Sequence, residues 1–84
     1  MSYRVTILRR AAEALSKLPP SDYARTRDAI RSLASEPRPA GCRKLIGRDG
    51  WRVRVGRYRV IYEVDDKVRV VAVLDIGHRK DVYG

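Results

Sequence analysis

Hydrophobic and polar positions alternate near the start of the chain and again through its second half. The stretch YRVTIL, Tyr3 to Leu8, is rich in residues that favour strands and predicts a first β-strand. Later, CRKLI predicts a short strand, and WRVRV, YRVIYEV and KVRVVAVLDI predict three longer ones. The pairs Gly56-Arg57 and Asp65-Asp66 separate the longer runs, and both gaps fit two-residue hairpin turns.

A helical period replaces the alternation directly after the first predicted strand. In RRAAEALSKLPP, the apolar residues Ala12, Leu15 and Leu18 recur at helical spacing. Pro19-Pro20 is expected to end this helix, since proline cannot continue one.

The segment SDYARTRDAIRSLASEP predicts a second helix. Ser21 or Asp22 is the expected cap, and the helix should end before Pro37. Its expected apolar stripe consists of Tyr23, Ile30, Leu33 and Ala34.

The order of predicted elements is β-α-α-β-β-β-β. Such an order is typical of an α+β fold, in which an N-terminal helical hairpin packs on a mostly antiparallel, twisted sheet. With no repeat and no linker-like segment, residues 1–84 are expected to form a single domain.

Arginines occupy an unusual position in the predicted hairpin WRVRVGRYRV. A two-residue turn at Gly56-Arg57 would place Arg54 opposite Arg59, with Arg52 on the same face and diagonal to Arg59. Like charges opposed across strands destabilise the pair, so their convergence favours an anion such as phosphate between them. The other face is expected to be the core side and carries Trp51, Val53, Val55, Tyr58, Val60 and Tyr62.

The charge balance changes the class of partner to expect. Nineteen Lys and Arg against ten Asp and Glu give a net charge of +9, which favours a polyanion or an acidic protein as partner. Between positions 43 and 59 the only acidic residue is Asp49. An alternative is a solvated face whose arginines pair with acids elsewhere. The basic residues in this stretch are Arg43, Lys44, Arg48, Arg52, Arg54, Arg57 and Arg59.

The C-terminal segment GHRKDVYG should lie near these arginines, because the last strand returns beside Arg59. Gly77 permits a sharp turn, after which the tail would fold over the arginine face. The tail residues expected there are His78, Arg79, Lys80 and Tyr83.

Other features exclude several classes of protein. Cys42 is the single cysteine, so no intrachain disulfide forms, and no cluster of His, Cys or carboxylates has metal-ligand spacing. No cofactor is therefore expected. The chain has no secretory signal and no apolar run near membrane-spanning length, and we expect a cytoplasmic protein that does not contact membranes.

A basic pocket with these side chains suits cleavage of RNA without a metal. The ribose 2′-OH attacks the adjacent phosphate, arginines stabilise the charge that develops, and a tyrosine or histidine transfers protons or stacks on a base. DNA lacks the 2′-OH and would be spared.

The motifs WRVRVGRYRVIYEV and VLDIGHRKDVY, with the strand-helix-helix beginning, closely resemble the RelE family of bacterial and archaeal toxins. YRVIYEV with GHRKDVY is specific for the RelE/ParE superfamily, and the tail motif favours RelE. The resemblance implies the toxin of a type II toxin–antitoxin module, an endoribonuclease that enters the ribosomal A site and cuts mRNA. It also implies a cognate antitoxin, which we expect to be acidic and to fold on binding.

The resemblance assigns roles residue by residue. Arg52 and Arg54 correspond to basic residues that bind phosphate and transfer protons, and Arg59 to the arginine that stabilises the transition state. Arg79 corresponds to the arginine that serves the leaving group, and Tyr83 to the tyrosine that orients the nucleotide. The remaining basic residues, Arg43, Lys44, Arg48, Arg57, His78 and Lys80, are expected to bind RNA.

One departure from the family leaves the general base open. Family members often carry lysines where this chain has Arg52 and Arg54, and a guanidinium is a poor base at neutral pH. Tyr83, His78, Glu63 or a ribosomal group are the candidates. Two other functions also remain open: a ParE-type toxin that binds DNA gyrase without cutting, and an inactive member that binds only its antitoxin.

Overall fold

Two helices cover one face of a five-stranded sheet in the computed structural model, which describes residues 2–78. The strands lie in the order β1-β5-β4-β3-β2; β1 pairs parallel to β5, and every other pair is antiparallel. The α+β prediction is therefore confirmed. The elements are β1 (Arg4–Ile7), α1 (Arg9–Ser16), α2 (Pro20–Ser32), β2 (Arg43–Lys44), β3 (Trp51–Val55), β4 (Tyr58–Asp65) and β5 (Val70–His78).

The core lies between the helices and the inner face of the sheet. Tyr62 is its largest fully buried side chain, and its hydroxyl donates to the carbonyl of Pro37 at 2.8 Å, which ties the loop after α2 to β4. Burial, followed by the neighbouring Cys42, raises the pKa of Tyr62. The other buried apolar residues of this cluster are Ala11, Leu15, Ile30, Leu33, Val55, Val60, Val71, Val73 and Ile76.

Helix α1 buries a face one residue away from the predicted one. Ala11 and Leu15, four residues apart, are the buried pair, whereas Ala12 is exposed. Leu18 packs partly against the core. Residues at i and i+4 share a helix face, so the position of Leu15 selects Ala11 as its partner.

Helix α2 begins earlier than the sequence predicts. Pro19 is the N-cap and Pro20 the first helical residue, so neither Ser21 nor Asp22 caps the helix. Proline suits the first helical position because the amide hydrogen it lacks would have no partner there. The predicted stripe is also partly wrong, since Thr26 is buried while Tyr23 is exposed.

The two predicted hairpin turns have different outcomes. Val55 pairs with Tyr58, which confirms the two-residue turn at Gly56-Arg57. The second turn is longer than predicted, because Asp65 pairs with Val70 and leaves four residues between the strands. The Asp65 carboxylate accepts hydrogen bonds from the amides of Lys67 and Val68, an arrangement that favours a wider turn.

A polar cluster joins three segments at the end of the sheet near this wider turn. Asp66 accepts hydrogen bonds from the Tyr3 hydroxyl at 2.6 Å and from the Arg38 guanidinium at 2.9 Å. Hydrogen bonds from Arg38 and then from Tyr3 lower the pKa of Asp66. The Arg38 guanidinium also lies 5.2 Å from the centre of the Trp51 ring.

Within residues 2–78, neither helix has the length and apolar character that crossing a bilayer requires.

Candidate nucleic-acid interface

A groove of about 1040 Å³ lies on the sheet face opposite the helices. Its floor contains the aliphatic side chains of Ile61 and Leu74. Among the described residues its single lining carboxylate is Asp75, so the groove has a strong excess of positive charge. Its cationic lining residues are Arg10, Arg43, Lys44, Arg48, Arg52 and Arg54.

The β3–β4 hairpin places the arginines of the groove. Arg54 pairs with Arg59, and Arg52 pairs with Ile61, which confirms the predicted register and the common face. Arg43 on the edge strand stands directly opposite Arg52 and extends the same row. Three neighbouring strands therefore direct guanidinium groups to one side of the sheet.

Arg59, which pairs with Arg54 in the neighbouring row, occupies a buried position. Its side chain is 8% exposed, although arginines are almost never fully buried in proteins. Arg59 has Arg54 of β3 on one side and Gly77 of β5 on the other. Gly77 contributes no side chain to this face. Arg59 is therefore buried beside the groove and is not one of its lining residues, whereas Arg54 lines the groove and is exposed.

A β-bulge adds two residues that the sequence analysis missed. The register between β4 and β5 shifts at Ile61/Tyr62, and as a result the consecutive residues Leu74 and Asp75 both line the groove. The Asp75 carboxylate lies 3.1 Å from Nη2 of Arg10 in the first turn of α1. Bulges often redirect side chains beside functional sites. No pattern in LDIGH reveals this shift, because alternation alone would place one of these two neighbours, and not both, on the groove face.

The β2–β3 loop forms one rim of the groove. The amide of Leu45 donates to the carbonyl of Gly50 at 3.0 Å and closes the loop. Gly50 has a φ of +120°, a backbone angle that residues other than glycine rarely adopt. Ile46 and Arg48 project from the loop into the lining of the groove, and Ile46 is 99% exposed.

The structure contradicts the predicted turn at Gly77 and the predicted place of His78. Gly77 forms no turn, because β5 continues through it to His78. His78 pairs with Tyr58, and the two rings meet edge to face at 5.9 Å. Tyr58 belongs to the inner face, so His78 lies on the helix side and not over the arginines.

Of the other described site residues, Arg57 does not line the groove. Arg57 is exposed in the β3–β4 turn. Arg79, Lys80 and Tyr83 are outside the described residues, so their predicted roles stay predictions.

The groove supplies the elements that a phosphodiester requires. Guanidinium groups bind phosphate through paired donors and stabilise negative charge that develops during reaction. The aliphatic floor accommodates the apolar surface of a base or ribose. Within residues 2–78 no three side chains among His, Cys, Asp and Glu come together as a metal site.

This fold is that of small type II toxins. Residues 5–83 match the family described as the ParE toxin of the type II toxin–antitoxin system parDE. The chain is also 36% identical to Toxin RelG of Mycobacterium tuberculosis, over 99% of this chain and 98% of that one. It is 32% identical to the putative toxin RelE1 of Methanocaldococcus jannaschii, over 99% and 97%.

Solved structures give the same result. The chain superposes with a TM-score of 0.85 on a chain of the archaeal RelE–RelB complex from Pyrococcus horikoshii, at 36% identity over 98% of this chain and 100% of that one. A chain of the RelBE2 toxin–antitoxin complex from M. tuberculosis gives a TM-score of 0.80 at 30% identity, over 94% and 100%. The protein belongs to the RelE/ParE family and is a RelE-like toxin of the type II class.

Proposed function

We propose that this toxin is an endoribonuclease that cuts mRNA in the ribosomal A site and thereby inhibits translation. The reaction is a metal-independent transesterification. The ribose 2′-oxygen attacks the adjacent phosphorus, the bond to the 5′-oxygen breaks, and the products carry a 2′,3′-cyclic phosphate and a 5′-hydroxyl.

The groove on the outer sheet face is the observation that carries this proposal. Arg52 and Arg54 line it, and Arg59 stands beside Arg54 in the same row. Guanidinium groups fixed on neighbouring strands need little reorganisation when the phosphorane gains charge, so each contributes directly to lowering the barrier.

The arginines on and beside the groove receive the following roles in this proposal. Arg52 and Arg54 bind the scissile phosphate, and the buried Arg59 stabilises the transition state. Arg43, Lys44 and Arg48 bind flanking phosphates along the rim. The predicted roles of Arg79 with the leaving group and of Tyr83 with the nucleotide complete the proposal.

A cognate antitoxin is the proposed second partner. The similar P. horikoshii and M. tuberculosis toxin chains come from RelE–RelB and RelBE2 complexes, which supports an antitoxin here as well. The cationic rim and aliphatic floor of the groove favour an acidic, amphipathic segment. Such a segment would block RNA from the arginines while it is bound.

The test maps mRNA 5′ ends in cells that express the toxin. Wild type should produce new ends inside translated codons, and Arg54→Ala should lower their yield about 100-fold, as the loss of one charge-stabilising donor does. Arg54 is the appropriate residue because its exposed side chain can be truncated without opening the core. Arg31→Ala, which removes the same charge from the exposed end of α2, is the control and should cut as wild type does.

A second function, gyrase poisoning, is favoured by the match to the ParE family. A gyrase poison would leave mRNA intact and produce broken DNA when the toxin is expressed. Intact mRNA with growth arrest and DNA breaks would therefore replace the nuclease proposal. Intact mRNA and intact DNA would indicate an inactive member that binds only its antitoxin.

A further inference from the structure

The chemistry of the groove lacks an obvious proton acceptor. Attack by the 2′-oxygen requires removal of its proton, and a guanidinium, protonated below pH 12, cannot take it. Five of the six cationic lining residues are arginines, and the sixth, Lys44, lies over the Trp51 ring with its Nζ 5.4 Å from the ring centre. A base has to come from another residue.

The register excludes two of the candidates that the sequence offers. His78 lies on the helix side of the sheet, opposite Tyr58. Glu63 pairs with Ala72 beyond the β-bulge and lines a separate depression with Asp65 and Asp66. Neither lines the arginine groove.

Asp75 is the carboxylate that the bulge directs into the groove. It stands opposite Ile61, which is in turn opposite Arg52, so Arg52, Ile61 and Asp75 form one row across three strands. Arg59 lies diagonally from Asp75, at about 7–8 Å between such positions. A phosphate held over Ile61 therefore has arginines on one side and the Asp75 carboxylate on the other.

Two contacts fix the orientation of this carboxylate. Its Oδ1 accepts from the amide of Ile76 at 2.9 Å, and its Oδ2 lies 3.1 Å from Nη2 of Arg10. The side chain of Asp75 is 29% exposed, whereas that of Arg10 is 79% exposed. This ion pair and the amide of Ile76 hold the Asp75 carboxylate in place beside the groove.

We propose that Asp75 is the general base that accepts the 2′-OH proton in the cleavage reaction, and that Arg10 is the positioning residue that orients it. This inference rests on the proposed function. As the 2′-O–P bond forms, the proton moves to Asp75, and the P–O5′ bond breaks. The leaving 5′-oxygen takes a proton from water, and the resulting hydroxide takes the proton from Asp75, so the carboxylate is regenerated.

The experiment measures single-turnover cleavage of an mRNA bound in the A site of purified ribosomes, at increasing toxin concentration. Asp75→Asn should lower the maximal rate constant at least about 100-fold, as the loss of a general base does. Its half-saturating concentration should not rise, because removing a negative charge from a cationic groove does not weaken RNA binding. Asp75→Glu, which retains a carboxylate, should recover part of the rate.

Chemical rescue separates a base from a structural residue. Added formate should raise the rate of Asp75→Ala while leaving wild type unchanged. The matched control is Glu13→Gln, which removes a carboxylate from the neighbouring pair Arg9–Glu13 outside the groove and should leave the rate unchanged. Thermal melting of each variant shows that it is folded.

Two outcomes would overturn the inference. In the first, Asp75→Asn cuts at the wild-type rate, whether or not Tyr83→Phe does. In the second, Asp75→Asn loses activity through a raised half-saturating concentration, and formate does not raise the rate of Asp75→Ala. If wild type itself leaves the mRNA intact, the proposed function fails first, and that result is distinct from both.

Discussion

Tyr62 is the residue at which packing and polar contact are most closely coupled. Its ring is fully buried, and its hydroxyl donates to the carbonyl of Pro37. Tyr62→Phe should lower the free energy of unfolding by about 1 kcal/mol, since it removes one buried hydrogen bond and leaves an acceptor unsatisfied. Urea denaturation measures this loss.

The raised pKa of Tyr62 gives the same variant a pH signature. The pKa of Tyr62 is higher in the folded protein than in the unfolded chain, where it is about 10. Its contribution to the free energy of unfolding is therefore present below about pH 10 and is lost as the pH rises beyond that value. The difference between wild type and Tyr62→Phe should therefore shrink in alkaline solution. Tyr58→Phe, on the same strand and face, is the control. An equal loss of unfolding free energy in both variants would contradict the role of the Pro37 contact.

Gly50 is the residue that shapes the rim of the groove. A Cβ at this position would lie 3.2 Å from the Tyr62 carbonyl oxygen and 3.1 Å from Cδ1 of Leu45, at a φ of +120°. Gly50→Ala should cost about 1–3 kcal/mol of unfolding free energy. Gly47→Ala, where φ is also positive but the space is open, should cost less. Equal melting temperatures for the two variants would contradict this reading of the loop.

Among the elements, the ends of the sheet depend on side-chain contacts that join distant segments. The contacts of Asp66 connect β1, the loop after α2 and the β4–β5 turn. Because its pKa is lowered in the folded state, Asp66 contributes stability that is present above its unfolded pKa, about 3.9, and is lost as the pH falls through the folded value.

A pH series of urea denaturation tests this contribution. Wild type should be more stable than Asp66→Asn at neutral pH, and the difference should diminish as the solution becomes more acidic than about pH 4. Tyr3→Phe removes one of the two donors and should reduce the difference in part. A difference that stays constant from neutral to strongly acidic solution would show that the carboxylate charge does not matter.

The elements also show where sequence patterns suffice. Strand alternation and the Gly56-Arg57 turn predicted the hairpin register and hence the common face of Arg54 and Arg59, because a two-residue turn allows a single register. The same logic was wrong at Asp65-Asp66, where a side chain that caps two amides widened the turn.

The candidate site was predicted only in part for a similar reason. Alternation has no signal for the bulge that directs Asp75 into the groove, and nothing near Arg10 indicates that α1 begins beside β5. Gly77 was misread because glycine fits a turn and a strand equally well, and only pairing with Arg59 decides between them.

For the whole molecule, the net charge of +9 favours association with a polyanion such as RNA. Binding should weaken steeply with salt, because each phosphate neutralised releases a counterion. Arg48→Ala, at the rim of the groove, should reduce the slope of log K against log salt by about 1.

The control is again Arg31→Ala, which has the same net charge as Arg48→Ala. Its slope should equal that of wild type if the groove, and not the overall charge, contacts the phosphates. Filter binding or fluorescence anisotropy over a salt series gives both slopes. An equal reduction in both variants would contradict a localised interface.

The arginine groove is proposed to promote attack by a ribose 2′-oxygen, and a substrate that lacks this oxygen tests the proposal. Purified ribosomes are loaded with an mRNA whose scissile nucleotide, first located on the all-ribose message, carries a single 2′-deoxy substitution. Wild-type toxin should cut the all-ribose mRNA to a 2′,3′-cyclic phosphate and leave the substituted mRNA intact. Cleavage at the 2′-deoxy position at a comparable rate would show that the ribose 2′-oxygen is not the nucleophile.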